Sequence, residues 1–392
     1  MTAPEFASTT KPANSYFSPE HEELRKSIRR FVETELAPHA QEWEEAAYFA
    51  DWVIPRMGEL GFLGLSYPKE YGGQGGDYFS EIVLAEEMSR CGCGGLSMAV
   101  SVQTGMGTPP VLKFGTEEQK QKYLVPTLKG EKVVCLGITE PNAGSDVANI
   151  QTYAREDGDS YVINGSKIFI TNGIRADYIT LVAKTDRSAG FDGVTLFLVD
   201  TDTPGFKRSR KLEKVGMLAS DTAELAFEDM RVPKSAVLGE VGKGFYQIMW
   251  ELQGERLIGT AGTVAGAQLT FEHALAYAKE RKTFGKPIGK HQVIKHMLVD
   301  MATKIEAARE LTYATAAKWD RGEYPVKEIS MAKLFAGVVS CEVADTALQI
   351  FGGSGYMTDN PVQRAWRDSR LIRIGGGTDE VMKEIIAKAY GL

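Results

Sequence analysis

"YVINGSKIFITNG", residues 161–173, is the stretch on which the fold reading turns. Its β-branched and aromatic residues favour extended backbone, and Asn164-Gly165 between two β-rich runs is a strong short hairpin signal. Further strand-like segments follow: "YITLVAKT" (178–185), "VTLFLVD" (194–200) and "TAELAFEDMRVP" (222–233), separated by Gly, Pro and Asp. No helix-length segment lies between them, so antiparallel pairing in a compact β domain over 132–241 is expected.

Outward from this zone, both flanks read as helical. Ser18 caps, Pro19 takes a first helical position, and Leu24, Ile28, Phe31, Val32 and Leu36 follow at helical spacing. Thr116 and Gln119 match a capping box. "YGGQGGDY" (71–78) breaks the helices as an exposed loop and departs from the GxGxxG dinucleotide fingerprint. After Gly242 the pattern predicts helices over about 243–281, with a break inside it, then 291–320, 324–352 and 377–389. Long helices joined by short connections imply an antiparallel bundle. The class is α+β, ordered as a helical region (1–131), a β region (132–241) and a helical region (242–392).

The 392 residues are 43% hydrophobic and 25% charged, an ordinary globular balance that can bury a large core without disulfides. Cys91, Cys93, Cys135 and Cys341 are too few and too scattered for a disulfide framework, which favours a reducing, cytoplasmic setting. The net charge of -7, with no basic block, argues against nucleic acid. The first 15 or so residues read as a loose arm lacking signal- or transit-peptide features. No uninterrupted apolar run reaches the ~18 residues of a membrane span. The histidines lack metal spacing, so no metal is expected. Walker, GxSxG and HExxH sequences are absent.

The candidate chemistry lies on the first long C-terminal helix. Phe245, Ile248, Met249 and Leu252 form an apolar stripe that Glu255 continues, followed on the same face by Gly259, Gly262 and Gly266. Each glycine weakens a helix by ~1 kcal/mol relative to alanine, so something is expected to pack close to that row. Two readings of Glu255 stand side by side. It pairs with an arginine under a helix crossing, or desolvation in a cleft tunes it as a general base. "ERKTFGKPIGKHQ" (280–292) places a cation, a hydroxyl and an aromatic together, suited to a phosphate and a flat ring or simply to a helix end. "GITEPNAGSDV" (137–147) exposes backbone N–H groups and Ser145. Phe169 and Thr171 share one side of a strand. "QIFGGSGY" (349–356) and "GGGTDE" (375–380) are Gly-rich turns beside helices.

Together "TEPNAGSD", "INGSKIFITNG", "ERKTFGKPI…HQ", "QIFGGSGY" and "GGGTDEVMKEIIA" resemble the acyl-CoA dehydrogenases in order and spacing, over nearly the whole chain from Ser18 to Leu392. The resemblance implies a helical N-terminal domain, a central antiparallel β-barrel domain and a C-terminal four-helix bundle, one FAD per subunit and a homotetramer built as a dimer of dimers. It places Leu136, Ile138, Thr139, Ser145, Phe169 and Thr171 at the flavin. Arg281, Thr283, Phe284, Gln292 and the segment Gln349, Ile350, Phe351, Gly352 and Gly353 would hold the cofactor of a neighbouring subunit, and Thr378 and Glu380 that of their own. Many relatives carry the catalytic glutamate at the position of Gly376. The long-chain and isovaleryl types carry it instead in a helical Glu-Arg pair, here Glu255-Arg256. Gly376 retains its N–H as an oxyanion donor. Ser145, Arg256 and Gly377 would contact substrate, and Ser97, Met98 and Ser101 its tail. Gln253 stands where many relatives have an aspartate near the pantetheine. The implied activity is α,β-desaturation of a fatty or branched acyl-CoA in fatty acid β-oxidation, with electrons passed to an electron-transferring flavoprotein. An acyl-CoA oxidase, a flavin monooxygenase on the same fold and a flavin-bearing scaffold are the alternatives.

Overall fold

The computed structural model describes residues 16–392; the arm expected at the N-terminus lies outside them. The N-terminal helices are α1 (Pro19–Phe31), α2 (Ala40–Ala46), α3 (Val53–Glu59), α4 (Tyr78–Ser89), α5 (Gly94–Ser101), α6 (Pro109–Phe114), α7 (Glu117–Gln119) and α8 (Val125–Leu128). Ser18 and His21 form a reciprocal capping box at α1, as Thr116 and Gln119 do at α7. Asp77 at the end of the Gly-rich loop caps α4 by accepting the Ser80 N–H at 3.1 Å. Ile28, Val32, Leu36, Val53, Met57, Val83 and Leu96 close into one core.

Strands β1 (Val134–Gly137), β2 (Tyr153–Asp157), β3 (Ser160–Thr171), β4 (Tyr178–Lys184), β5 (Val194–Asp200), β6 (Phe206–Lys211), β7 (Thr222–Pro233) and β8 (Val237–Leu238) form one sheet. Their order is β6-β7-β3-β2-β4-β5-β8, with β1 on β4. Three expectations need correction. The sheet is not a closed barrel: β6 ends it as a charged, exposed strand, a usual way to protect an edge. It is not purely antiparallel, because β1 and β2 each pair with β4 in parallel. Asn164-Gly165 is not a hairpin turn. The chain turns at Gly158-Asp159, and β3 runs through Gly165 at a bulge against β7. Glycine is required at 165 by a close approach, since a Cβ there would lie 2.5 Å from Thr152 Oγ1. β4 and β5 are buried nearly throughout because both sheet faces are covered.

The C-terminal region comprises α9 (Gly244–Glu280), the short ribbon β9 (Lys282–Thr283) and β10 (Lys286–Pro287), then α10 (Gln292–Asp320), α11 (Val326–Phe351), α12 (Pro361–Ser369) and α13 (Asp379–Ala389). The break expected in the first long helix is absent: α9 runs unbroken for 37 residues. Tertiary packing against α4, α10 and α11 outweighs the low helix propensity of its glycines. By length and composition alone Val326–Tyr356, with mean hydropathy 1.4, would suit a membrane span, a match the search for uninterrupted apolar runs does not anticipate. In the fold α11 packs on α9, α10 and α13 and carries the buried Lys333.

Candidate active site

Glu255 sits in the first third of α9, and Gly376 lies in the turn before α13. The fold brings them together: a Cβ built on Gly376 would lie 3.3 Å from Glu255 Oε1. The carboxylate therefore occupies the space where a side chain at 376 would begin. Gly376 and Gly377 adopt left-handed backbone, φ 65° and 103°, which glycine tolerates without strain. The turn ends at Thr378, whose hydroxyl caps α13 by accepting the Val381 N–H at 3.3 Å.

Two buried cations hold this turn. Arg256 Nε donates to the Gly376 carbonyl at 2.7 Å, and Lys333 Nζ, from α11, donates to the Gly377 carbonyl. The sequence reading puts Arg256 against substrate; in the fold its Nε meets the loop carbonyl. With both carbonyls engaged by the helices, the Gly376 and Gly377 N–H groups have no acceptor among the described residues. Those N–H groups are free to meet a ligand oxygen.

The electrostatics suit a base. Burial raises the Glu255 pKa to about 7, against the pull of Arg256 and Lys333. Burial lowers the Lys333 pKa to about 8, opposed chiefly by Asp379. Glu251, one turn earlier on α9, is buried and neither carboxyl oxygen has a partner among the described residues. Burial and then the Glu255 charge push its pKa well up. Sequence reasoning misses both Glu251 and Lys333. The four-residue spacing of the acids in "ELQGER" is visible, but a lysine 77 positions beyond Arg256 carries no local signal. Gln253 is also buried, and its amide donates back to the Met249 carbonyl at 3.0 Å.

Lys333→Met is expected to lower kcat/KM by about 10²-fold, because losing the carbonyl anchor lets the turn move. It should also raise the pKa of Glu255, since a cation that favours the carboxylate is gone. A pH–rate profile and Tm on the same variant separate these effects.

The other predicted residues fall into three groups. Ser97, Met98 and Ser101 line a cavity with α4 and α9. Ile138 and Thr139 meet the Phe169 segment, since the Ile168 N–H donates to the Thr139 carbonyl at 2.9 Å and Lys167 Nζ to the Ile138 carbonyl at 2.8 Å, while Leu136 on β1 pairs with Thr180 of β4. Ser145 lies in an exposed loop nearby in sequence. Phe169, at a bulge in β3, is 65% exposed with φ 63°. The third group lies at the far end of the bundle. Arg281 is exposed and forms no ion pair among the described residues, Thr283 Oγ1 pairs with His291 Nε2 at 3.1 Å, and Gln292 is exposed. Phe284 is 95% exposed with φ 49°. Gln349, Gly352 and Gly353 are exposed, but the Ile350 side chain lies in the bundle core and Phe351 stacks on Tyr277 at 4.2 Å. Glu380 is exposed in the first turn of α13. No cluster of potential metal ligands occurs among the described residues.

Family models match residues 18–131 (acyl-CoA dehydrogenase, N-terminal domain), 135–230 (middle domain) and 242–391 (C-terminal domain). The chain belongs to the acyl-CoA dehydrogenase family. A short-chain specific acyl-CoA dehydrogenase of Clostridium acetobutylicum is 44% identical over 94% of this chain and 97% of its own length. The mitochondrial long-chain specific acyl-CoA dehydrogenase of Sus scrofa is 38% identical over 95% and 86%. A chain from a structure of the electron transferring flavoprotein of Acidaminococcus fermentans superposes with TM-score 0.93 at 41% identity, covering 95% of this chain and 98% of that one. The chain is thus an acyl-CoA dehydrogenase-type oxidoreductase, and members of this family are FAD-dependent. The residues present fit such a cofactor. Phe169, exposed on the β3 bulge at positive φ, offers an open aromatic face to a flat ring.

Proposed function

We propose that this chain desaturates an acyl-CoA between Cα and Cβ to give a trans-2-enoyl-CoA. The observation that carries the reading is the meeting of the Glu255 carboxylate with the Gly376 turn. Glu255 takes the proton from Cα. The Gly376 N–H, in a turn braced by Arg256 and Lys333, receives the thioester oxygen as charge develops on it. Gly377 lies beside the same carbonyl. Bound FAD supplies the acceptor for the hydride that leaves Cβ. Leu136, Ile138, Thr139, Ser145, Phe169 and Thr171 would hold its flavin, with Thr378 and Glu380 from the same subunit. Ser145 would also touch the substrate. Closure of the cleft excludes water and keeps Glu255 poised near neutrality.

Electrons then leave to an electron-transferring flavoprotein, a partner that the similarity to the Acidaminococcus fermentans structure supports. The exposed Arg281, Phe284, Gln292, Gln349, Gly352 and Gly353 suit contacts to the cofactor of a second subunit, in a dimer of dimers. The test is anaerobic mixing of the flavoprotein with acyl-CoA. Bleaching of the flavin, followed by reoxidation with electron-transferring flavoprotein, supports the proposal. No bleaching with any acyl-CoA rejects it, and rapid peroxide formation with oxygen alone assigns an oxidase instead.

A further inference from the structure

Glu251 is a buried acid that the chemistry above leaves unused. Its side chain is 2% exposed, and both carboxyl oxygens lack a hydrogen-bond partner among the described residues. A bare ion at that depth is heavily penalised, and a neutral carboxyl there still needs an acceptor for its O–H.

The polar groups around it are already committed. Arg256 Nε donates to the Gly376 carbonyl at 2.7 Å, and Arg256 forms no close ion pair with either acid. Tyr67, from the segment after α3, lies within electrostatic reach of Glu251, but its hydroxyl donates to the Thr104 carbonyl at 2.8 Å and meets Thr108 Oγ1 at 2.7 Å. Lys333, from α11, donates to the Gly377 carbonyl and acts on Glu255 rather than on Glu251. Among the described residues, the charges acting on Glu251 are those of Glu255 and Arg256.

One acceptor remains. The Glu255 carboxylate takes no hydrogen bond among the described residues. Glu251 and Glu255 stand four residues apart on one helix face, where Cβ atoms lie about 5–6 Å from each other, within reach of two glutamate side chains. The acids are not hydrogen-bonded in the structure, so the contact needs a change of Glu251 rotamer. Each supplies what the other lacks: a protonated Glu251 has a donor without an acceptor, and an ionised Glu255 has acceptors without a donor. Burial and the Glu255 charge both favour the protonated form of Glu251, in agreement with that assignment.

Resting on the acyl-CoA reading above, we infer that Glu251 is a positioning residue for the base: protonated, it donates its O–H to the ionised Glu255 carboxylate and holds it beside the Gly376 turn. Such a bond is charge-assisted, so it is strong while Glu255 is ionised and is given up as the Cα proton arrives. It keeps the base ionised closer to neutral pH than burial alone allows.

The experiment uses the FAD-loaded protein and an acyl-CoA that bleaches the wild-type flavin, and compares Glu251→Gln with Glu251→Leu. A glutamine N–H still donates to Glu255, whereas leucine has no donor. Glu251→Leu is expected to raise the midpoint of the pH–rate profile by about one pH unit, slowing flavin reduction about tenfold at pH 6 with recovery by pH 9. Glu251→Gln should keep the wild-type midpoint. An infrared difference spectrum, wild type minus Glu251→Gln at pH 8, should show the band of a protonated carboxyl. Equal behaviour of the two variants, whether up, down or unmoved, overturns the inference; a shared fall would mean that Glu251 is ionised and repels the base. Absence of the infrared band overturns it too. If Glu251→Leu does not fold, the midpoint and the band of Glu251→Gln decide. Failure of the acyl-CoA reading looks different, since no acyl-CoA would then bleach the flavin in any of the three proteins, while the infrared band would persist.

Discussion

Glu255→Gln is expected to slow flavin reduction by acyl-CoA by about 10³- to 10⁴-fold, because proton abstraction at Cα loses its base while shape and hydrogen bonding are kept. FAD should remain bound, since Glu255 is not among the residues assigned to the flavin. Stopped-flow bleaching checks both points, and a normal rate would reject Glu255 as the base. The wild-type rate should rise with pH through about 7, where Glu255 loses its proton, and level off above it. That rise should vanish in the variant.

The same shift predicts a stability effect of known sign. The folded pKa lies above the ordinary carboxylate value of 4.5, so between about 4.5 and 7 the folded form binds more protons than the unfolded form. Stability falls as pH rises through that window. Glu255→Gln removes the half-buried charge and should raise stability at pH 8 by at most about 3 kcal/mol, read as a higher Tm, with little gain at pH 4. An equal gain at both pH values would contradict this linkage.

Arg256→Met is the second large effect. It removes the donor at the Gly376 carbonyl and the cation that most favours ionised Glu255. The turn loses an anchor and the carboxylate loses a neighbour, so the Glu255 pKa should climb above about 7. A fall in kcat/KM of about 10²- to 10³-fold is expected at pH 7, partly recovered at pH 9 as Glu255 ionises. Arg256→Lys keeps the charge but not the fixed geometry and should lose less. A pH-independent loss in Arg256→Met would mean that the guanidinium acts only on the loop.

The helical flanks were legible because their signals are local. Ser18 with Pro19, and Thr116 with Gln119, mark helix starts within four residues. The β zone was legible from β-branched runs, but its topology was not. Parallel pairing of β1 and β2 with β4 depends on which strands meet in space. Asn164-Gly165 misled because the same dipeptide serves a hairpin or a bulge, and the close approach of Thr152, just before β2, is not written in the dipeptide.

Sequence by itself determined the helix–strand–helix order, the family resemblance, and the oddity of an acid followed by glycines on one helix face. These follow from periodicity and residue type, which act over a few positions. Tertiary structure alone decided that Glu255 meets the Gly376 turn, that Lys333 braces it, and that the glycine row meets α4 closely at Gly262 but borders a cavity at Gly259 and Gly266. Burial, pKa and empty volume belong to the packing of segments far apart in the chain, and no local pattern encodes which segments those are.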